Sequence, residues 1–77
     1  MHRIGTTLVF ETPEKGKLRG RRLYVNSMAI THFAERPEVS GSWIRVEGDT
    51  DSLFVEDDPD VIARGIMEVE EWQRGGE

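Results

Sequence analysis

Apolar and polar residues alternate along most of the first 55 positions, and the pattern then changes to a helical one. Within residues 3–11 Ile4, Thr6, Leu8 and Phe10 recur at every second position, in a segment rich in β-branched and aromatic side chains. This period of two predicts a first strand with those four residues on one face. Pro13 and Gly16, set among charged neighbours, predict a loop or wide hairpin reaching to about Gly20. A second strand follows over residues 21–25, with Leu23 and Val25 on one face and Tyr24 on the other. Asn26-Ser27 turns the chain, because short polar side chains bond their own backbone.

Residues 28–36 read as a third extended segment. Its apolar members Ile30 and Phe33 are three apart rather than two, which predicts a bulge or bend. Residues 37–41 form a loop. Residues 42–47 carry the cleanest alternation in the chain, with Ile44 and Val46 inward. Gly48-Asp49-Thr50-Asp51 is a tight turn, and residues 52–55 form the last strand, with Leu53 and Val55 alternating against Phe54. Short strands in succession with no helix between them predict an antiparallel meander of four or five strands.

The helical pattern runs over residues 59–74. Asp58 is a natural N-cap, Pro59 a natural first helical residue, and Asp60 places a negative charge at the positive end of the helix dipole. At 100° per residue Val61, Ile62, Gly65, Ile66, Val69 and Trp72 share an arc of roughly 140°, the width of a face lying on a sheet. Gly75 is placed to stop the helix. Gly65 lies within the apolar stripe at a cost of about 1 kcal/mol in propensity, which predicts a close approach of helix backbone to sheet. Met67 falls on the opposite face. The fold class is therefore α+β, a small antiparallel sheet with one C-terminal helix packed on one face.

The length of 77 residues predicts one domain, residues 1–77, which buries only about 60% of the surface exposed by its unfolded chain. There is no cysteine to staple it, and no apolar run exceeds three residues. The reading is of a cytoplasmic protein with no membrane segment. The net charge is −5, but the charges are segregated. Five of the ten basic residues, Lys15, Lys17, Arg19, Arg21 and Arg22, fall within eight positions. Seven acidic residues, Glu47, Asp49, Asp51, Glu56, Asp57, Asp58 and Asp60, occupy the stretch from 47 to 60 with no basic residue among them. Such a two-sided molecule steers charged partners.

Candidate chemistry is thin. The acidic stretch offers oxygen ligands, yet it lacks the alternating spacing, central glycine and terminal Glu of a calcium loop, and turn and capping roles explain its members. His32 is a candidate base, with Ser27, Ser40, Ser42 and Ser52 as hydroxyls, but no spacing sets a base beside a nucleophile. The expectation is no catalytic residue, no metal and no cofactor. The basic cluster offers a nucleic-acid contact, with Tyr24, Phe33 or Trp43 as stacking surfaces, although a basic patch on an acidic domain carries less weight than a basic domain. Tyr24, Trp43 and Phe54 fall by alternation on the sheet face away from the helix. Three aromatics on so small a domain point either to an interface or to a face that the N-terminal strand and loop fold over.

Leu23-Tyr24-Val25-Asn26, then Ile30 and Phe33, then Ile44-Arg45-Val46, then Leu53-Phe54-Val55-Glu56, then Val61-Ile62 and Ile66 follow a hydrophobic plan that resembles the FlbD-like proteins of flagellar operons. The resemblance spans roughly residues 21–69. It implies a short sheet followed by an acidic helix start, and an accessory role of bacterial or phage type; it brings no catalytic residue with it. The first strand and the basic loop depart from that plan. In type, though not in motif, a short, acidic, cysteine-free chain also resembles phage-encoded inhibitors of bacterial defence, whose acidic surfaces imitate nucleic acid.

Three functional expectations follow. The first is a non-catalytic accessory module that binds a protein partner through its sheet face or edge, using Tyr24, Trp43, Phe54 and Met67, with homodimerisation as a variant. The second is an acidic inhibitor of a nucleic-acid-handling complex, acting through the seven acidic residues named above. The third is nucleic-acid binding through the basic loop.

Overall fold

In the computed structural model, which describes residues 1–75, the chain forms six strands, a 3-10 turn and one helix; Gly76 and Glu77, the end of the predicted domain, lie outside the described residues. The strands are β1 (His2–Ile4), β2 (Thr7–Glu11), β3 (Arg22–Asn26), β4 (Ile30–Glu35), β5 (Ser42–Val46) and β6 (Leu53–Val55), and the helix is α1 (Pro59–Arg74). They make two antiparallel three-stranded sheets, ordered β1-β2-β3 and β4-β5-β6. The α+β class holds. The meander of four or five strands in one sheet is replaced by two sheets that meet across one core.

The first predicted strand is in fact a hairpin. Ile4 pairs with Thr7, leaving Gly5-Thr6 as a two-residue turn. Gly5 has φ +61° while Thr6 does not enter the positive region, the pattern of a type II′ turn, which demands glycine at its first central position. The turn reverses the face pattern: Leu8 and Phe10 are buried, but Ile4 is exposed. Val9 is also buried, on the other face of β2, in a row between His2 and Tyr24. Strand β3 is shifted by one residue from the predicted 21–25, and Asn26 turns the chain at its end, its Oδ1 accepting from the Met28 amide at 3.0 Å; the segment expected to begin the third strand starts instead with the 3-10 turn Ser27–Ala29.

The bulge predicted from Ile30 and Phe33 is present. Ile30 pairs with Val46 and His32 with Arg45, so Thr31 is the extra residue. One inserted residue restores Phe33 to the inner face opposite Ile44. The core gathers Leu8, Phe10 and Val25 from the first sheet, Ile44 and Val55 from the second, and Ile62 and Val69 from the helix. Leu23, Phe33, Leu53 and Ile66 pack around them.

Helix α1 has the predicted bounds, with Asp58 as N-cap, Pro59 first and Gly75 as C-cap. The buried stripe is narrower than predicted: Ile62, Gly65 and Val69 are buried, whereas Val61 and Trp72 are 37% and 36% exposed. Trp72 instead lies under the Arg3 guanidinium, 5.7 Å from its ring centroid. The Asp58 side chain makes no capping bond; its backbone carbonyl accepts from Val61 and Ile62.

Gly65 answers the expectation of close approach. A Cβ there would lie 2.6 Å from Met1 Cε and 3.3 Å from Leu8 Cδ2. Asp57 departs from expectation. Its Oδ2 lies 2.7 Å from the Met1 ammonium, with the side chains of both residues over nine-tenths buried, and its Oδ1 is buried without a hydrogen-bond partner. It is an internal anchor of the helix start rather than part of an acidic surface.

Two stability outcomes follow. Asp57→Ala breaks the pair between the Met1 ammonium and a buried carboxylate and is expected to lose about 3 kcal/mol in urea denaturation. Asp58→Ala is expected to lose less than about 1 kcal/mol, since no side-chain cap is removed; equal losses would return Asp57 to the surface. For Gly65→Ala, a propensity gain of about 1 kcal/mol offsets displacement of the flexible Met1 thioether, so stability is expected to change little. Gly65→Val, pressing also on Leu8, is expected to lose about 2 kcal/mol by thermal denaturation.

Candidate aromatic and cationic sheet face

Register in the second sheet sets Ala34, Trp43 and Phe54 in one row across β4, β5 and β6. Side chains alternate, so residues of the same parity share this row's face, which looks away from Ile44, Val55 and the core. The bulge at Thr31 brings His32 and Arg45, a paired couple, onto the same outer face. The His32 ring meets Trp43 edge-on, with centroids 5.4 Å apart and planes at 87°. From the chain after β4, the Arg36 guanidinium lies over Phe54, 4.5 Å from its centroid. Each such cation–π contact contributes about 0.5–1 kcal/mol at an exposed site.

The bulge also orders the polar edge of this face. Thr31 Oγ1 donates to the Arg45 carbonyl at 3.2 Å and lies 3.1 Å from His32 Nδ1. A hydroxyl has one proton to donate. The neutral imidazole that satisfies both contacts therefore carries its hydrogen on Nδ1 and presents Nε2 as an acceptor. Arg45 Nη2 donates to the Thr50 carbonyl at 3.2 Å. Among the described residues neither Arg36 nor Arg45 lies within ion-pair distance of a carboxylate. The outer face thus combines two aromatic rings, two guanidiniums and an imidazole, on a molecule of net charge −5.

Of the aromatic residues predicted to share a surface, the structure brings Trp43 and Phe54 together. Trp43 is half-buried and Phe54 44% exposed. Tyr24 is exposed but belongs to the first sheet, on the face that carries Val9. Met67 is exposed on α1. His32, Arg36 and Arg45 completed the face unseen in the sequence. His32 was readable there only as a strand residue or a base, because its facing depends on the bulge, and Arg36 arrives from beyond the strand end.

The charged clusters fare differently. Glu47, Asp49, Asp51, Glu56, Asp58 and Asp60 are exposed, but Asp57 is internal and Asp51 is 3.7 Å from Lys17. The basic residues Lys15, Lys17, Arg19 and Arg21 lie on a loop wound through Gly16–Pro13, Arg19–Gly16, Gly20–Pro13 and Arg21–Leu18 backbone bonds. Arg22 pairs with Glu11 across β2 and β3 at 3.3 Å. Exposed pairs like these contribute about 0–1 kcal/mol. Between this loop and β6 runs a groove of about 310 Å³, floored by Pro13, Leu18, Leu53 and Phe54.

Among the described residues no three His, Asp or Glu side chains converge to hold a metal ion, and no helix is long and apolar enough to cross a membrane. No family model, curated protein or solved structure matches the chain.

Proposed function

We propose that this protein is a non-catalytic binding module of bacterial or phage accessory type, which engages a protein partner through the outer face of its second sheet. The observation that carries this reading is the Trp43–Phe54 row with Arg36 stacked on it and His32 against it. Trp and Arg are the residues most enriched where binding energy concentrates. Here Trp43 stands on β5, paired with Phe54, and Arg36 is stacked on Phe54 from just past the end of β4, so little ordering cost remains to be met on association. The FlbD-like hydrophobic plan points the same way, toward an accessory role.

The acidic surface is the weaker alternative, because Asp57 is committed to Met1 and Asp51 faces Lys17. The basic loop is weaker still as a nucleic-acid site, since Arg22 is paired with Glu11 and the molecule as a whole is acidic.

Partner capture from nuclease-treated lysate of the source cell, followed by affinity measurement with the purified partner, tests the reading. Trp43→Ala is expected to weaken binding by at least about tenfold, as hot-spot truncations do. Tyr24→Ala and Met67→Ala, which lie elsewhere, are expected to change it by no more than about twofold. Loss on Lys17→Glu or Asp58→Lys with Trp43→Ala silent would move the site to a charged cluster.

A further inference from the structure

Strand β6 ends the order of the second sheet, so one of its sides has no strand beside it. In an antiparallel ladder successive residues turn their N–H and C=O groups alternately toward one neighbour and the other. The Glu56 N–H donates to the Glu11 carbonyl at 2.9 Å and therefore points away from β5. Phe54 has the same parity. Its N–H and C=O point the same way, along the free edge and toward the groove of about 310 Å³ that Phe54 lines.

On the opposite wall of that groove, Pro13 and the Thr12 hydroxyl already have their partners. Pro13 has no N–H, and its carbonyl accepts from Gly16 and Gly20 at 3.0 and 3.1 Å. The Thr12 hydroxyl donates to the Arg21 carbonyl. Among the described residues no backbone bond from outside the sheet reaches Phe54. An open donor and acceptor on a strand edge beside an apolar groove form the arrangement that takes an added strand.

Charge narrows the occupant. The loop forming the far wall carries Lys15, Lys17, Arg19 and Arg21 against one carboxylate, Glu14. The acid at the mouth, Asp51, is 3.7 Å from Lys17, and both side chains are about three-quarters exposed, 75% and 73%. That contact is loose enough to be exchanged. A pocket near the lower bound of ligand sites, which begin at roughly 300 Å³, suits one large apolar side chain and its backbone.

We propose that the β6 edge is a docking site for an extended peptide segment of a partner protein. The segment pairs its backbone with Phe54, seats one apolar side chain over Leu18 and Leu53, and sets an acidic residue against the basic loop. This goes beyond the outer-face reading: that face uses the ring of Phe54, whereas the groove uses its backbone.

Selection of short random peptides displayed on phage against the full chain tests the proposal, with the enriched peptides then synthesised and titrated into isotope-labelled protein. Enriched sequences are expected to place Asp or Glu next to an apolar residue, to shift the amides of residues 16–18 and 52–55, and to slow exchange of the Phe54 amide. N-methylation at one peptide position, and Lys17→Glu or Leu18→Asp in the protein, should each weaken binding by at least about tenfold. Lys17 is exposed, so its variant keeps the test valid even if Leu18→Asp fails to fold. Shifts at residues 16–18 and 52–55 that leave His32 and Arg45 of the outer face unmoved are expected, so the two surfaces are read separately. Four results would overturn the proposal: no enrichment, shifts confined to the outer face or helix, indifference to N-methylation, or enrichment without acidic residues. Protection of the Phe54 amide on concentrating the protein alone would assign the edge to a second copy and also overturn it.

Discussion

Three consecutive residues, Glu56 to Asp58, hold the elements of this fold to one another. The Glu56 amide donates to Glu11 at the end of β2, the Asp57 carbonyl accepts from Ser42 Oγ at 2.7 Å at the start of β5, and the Asp57 carboxylate pairs with the Met1 ammonium beside β1. The Asp58 carbonyl then opens the helix. In a chain with no cysteine and a small core, such a junction does what a covalent staple does elsewhere, by fixing the relative position of both sheets and the helix at one point. The buried pair is costly to desolvate, so its value lies in specifying the arrangement more than in adding stability.

The two candidate surfaces are consequences of that junction. Among the described residues one backbone bond, from Glu56 to Glu11, joins the end of β6 to β2. Next to it Thr12 and Pro13, whose ring leaves no N–H to offer, line the groove together with Leu53 and Phe54. On the other side of the same strand, the inner face of the second sheet is consumed by the core through Ile44 and Val55, and parity sends Trp43 and Phe54 outward. The helix makes its principal sheet contacts with β1 and β4, and Phe54 on that outer face remains 44% exposed.

The elements legible in the sequence were those set by local physics. Helix α1 was readable to its bounds because Pro59, Gly75 and a period of 3.6 act within a few residues, and the bulge was readable because Ile30 and Phe33 stand at the wrong spacing for a flat strand. The β1–β2 turn was hidden because Gly5-Thr6 interrupts a run of β-branched residues without breaking its alternation. The division into two sheets, which separates Tyr24 from Trp43 and Phe54, depends on pairing between distant strands that alternation does not encode. Asp57 was misread for a related reason: in sequence it is one acid among seven, and only the return of β1 to the helix start gives it a partner. The cations of the outer face were missed for the same cause, since Arg36 meets the Phe54 ring, and Arg45 joins Trp43 on one face with His32, only once the register is set.

The charge of the outer face also runs against the charge of the molecule, and this bears on how association would proceed. At physiological ionic strength fields decay over about 8 Å, so an approaching acidic segment first meets the net negative potential, screened, and then the local field of Arg36 and Arg45. Steering by the whole molecule opposes such a partner, while contact favours it. Binding of this kind gains little from long-range acceleration of encounter and draws its selectivity from dissociation, where desolvated guanidiniums and stacked rings must be separated. A basic partner would be steered by the acidic helix start and turn but repelled by Arg36 and Arg45 at the face itself. On the proposed reading the face would discriminate by short-range geometry rather than by net charge, since Arg36 is held over the Phe54 ring and Arg45 against the Thr50 carbonyl.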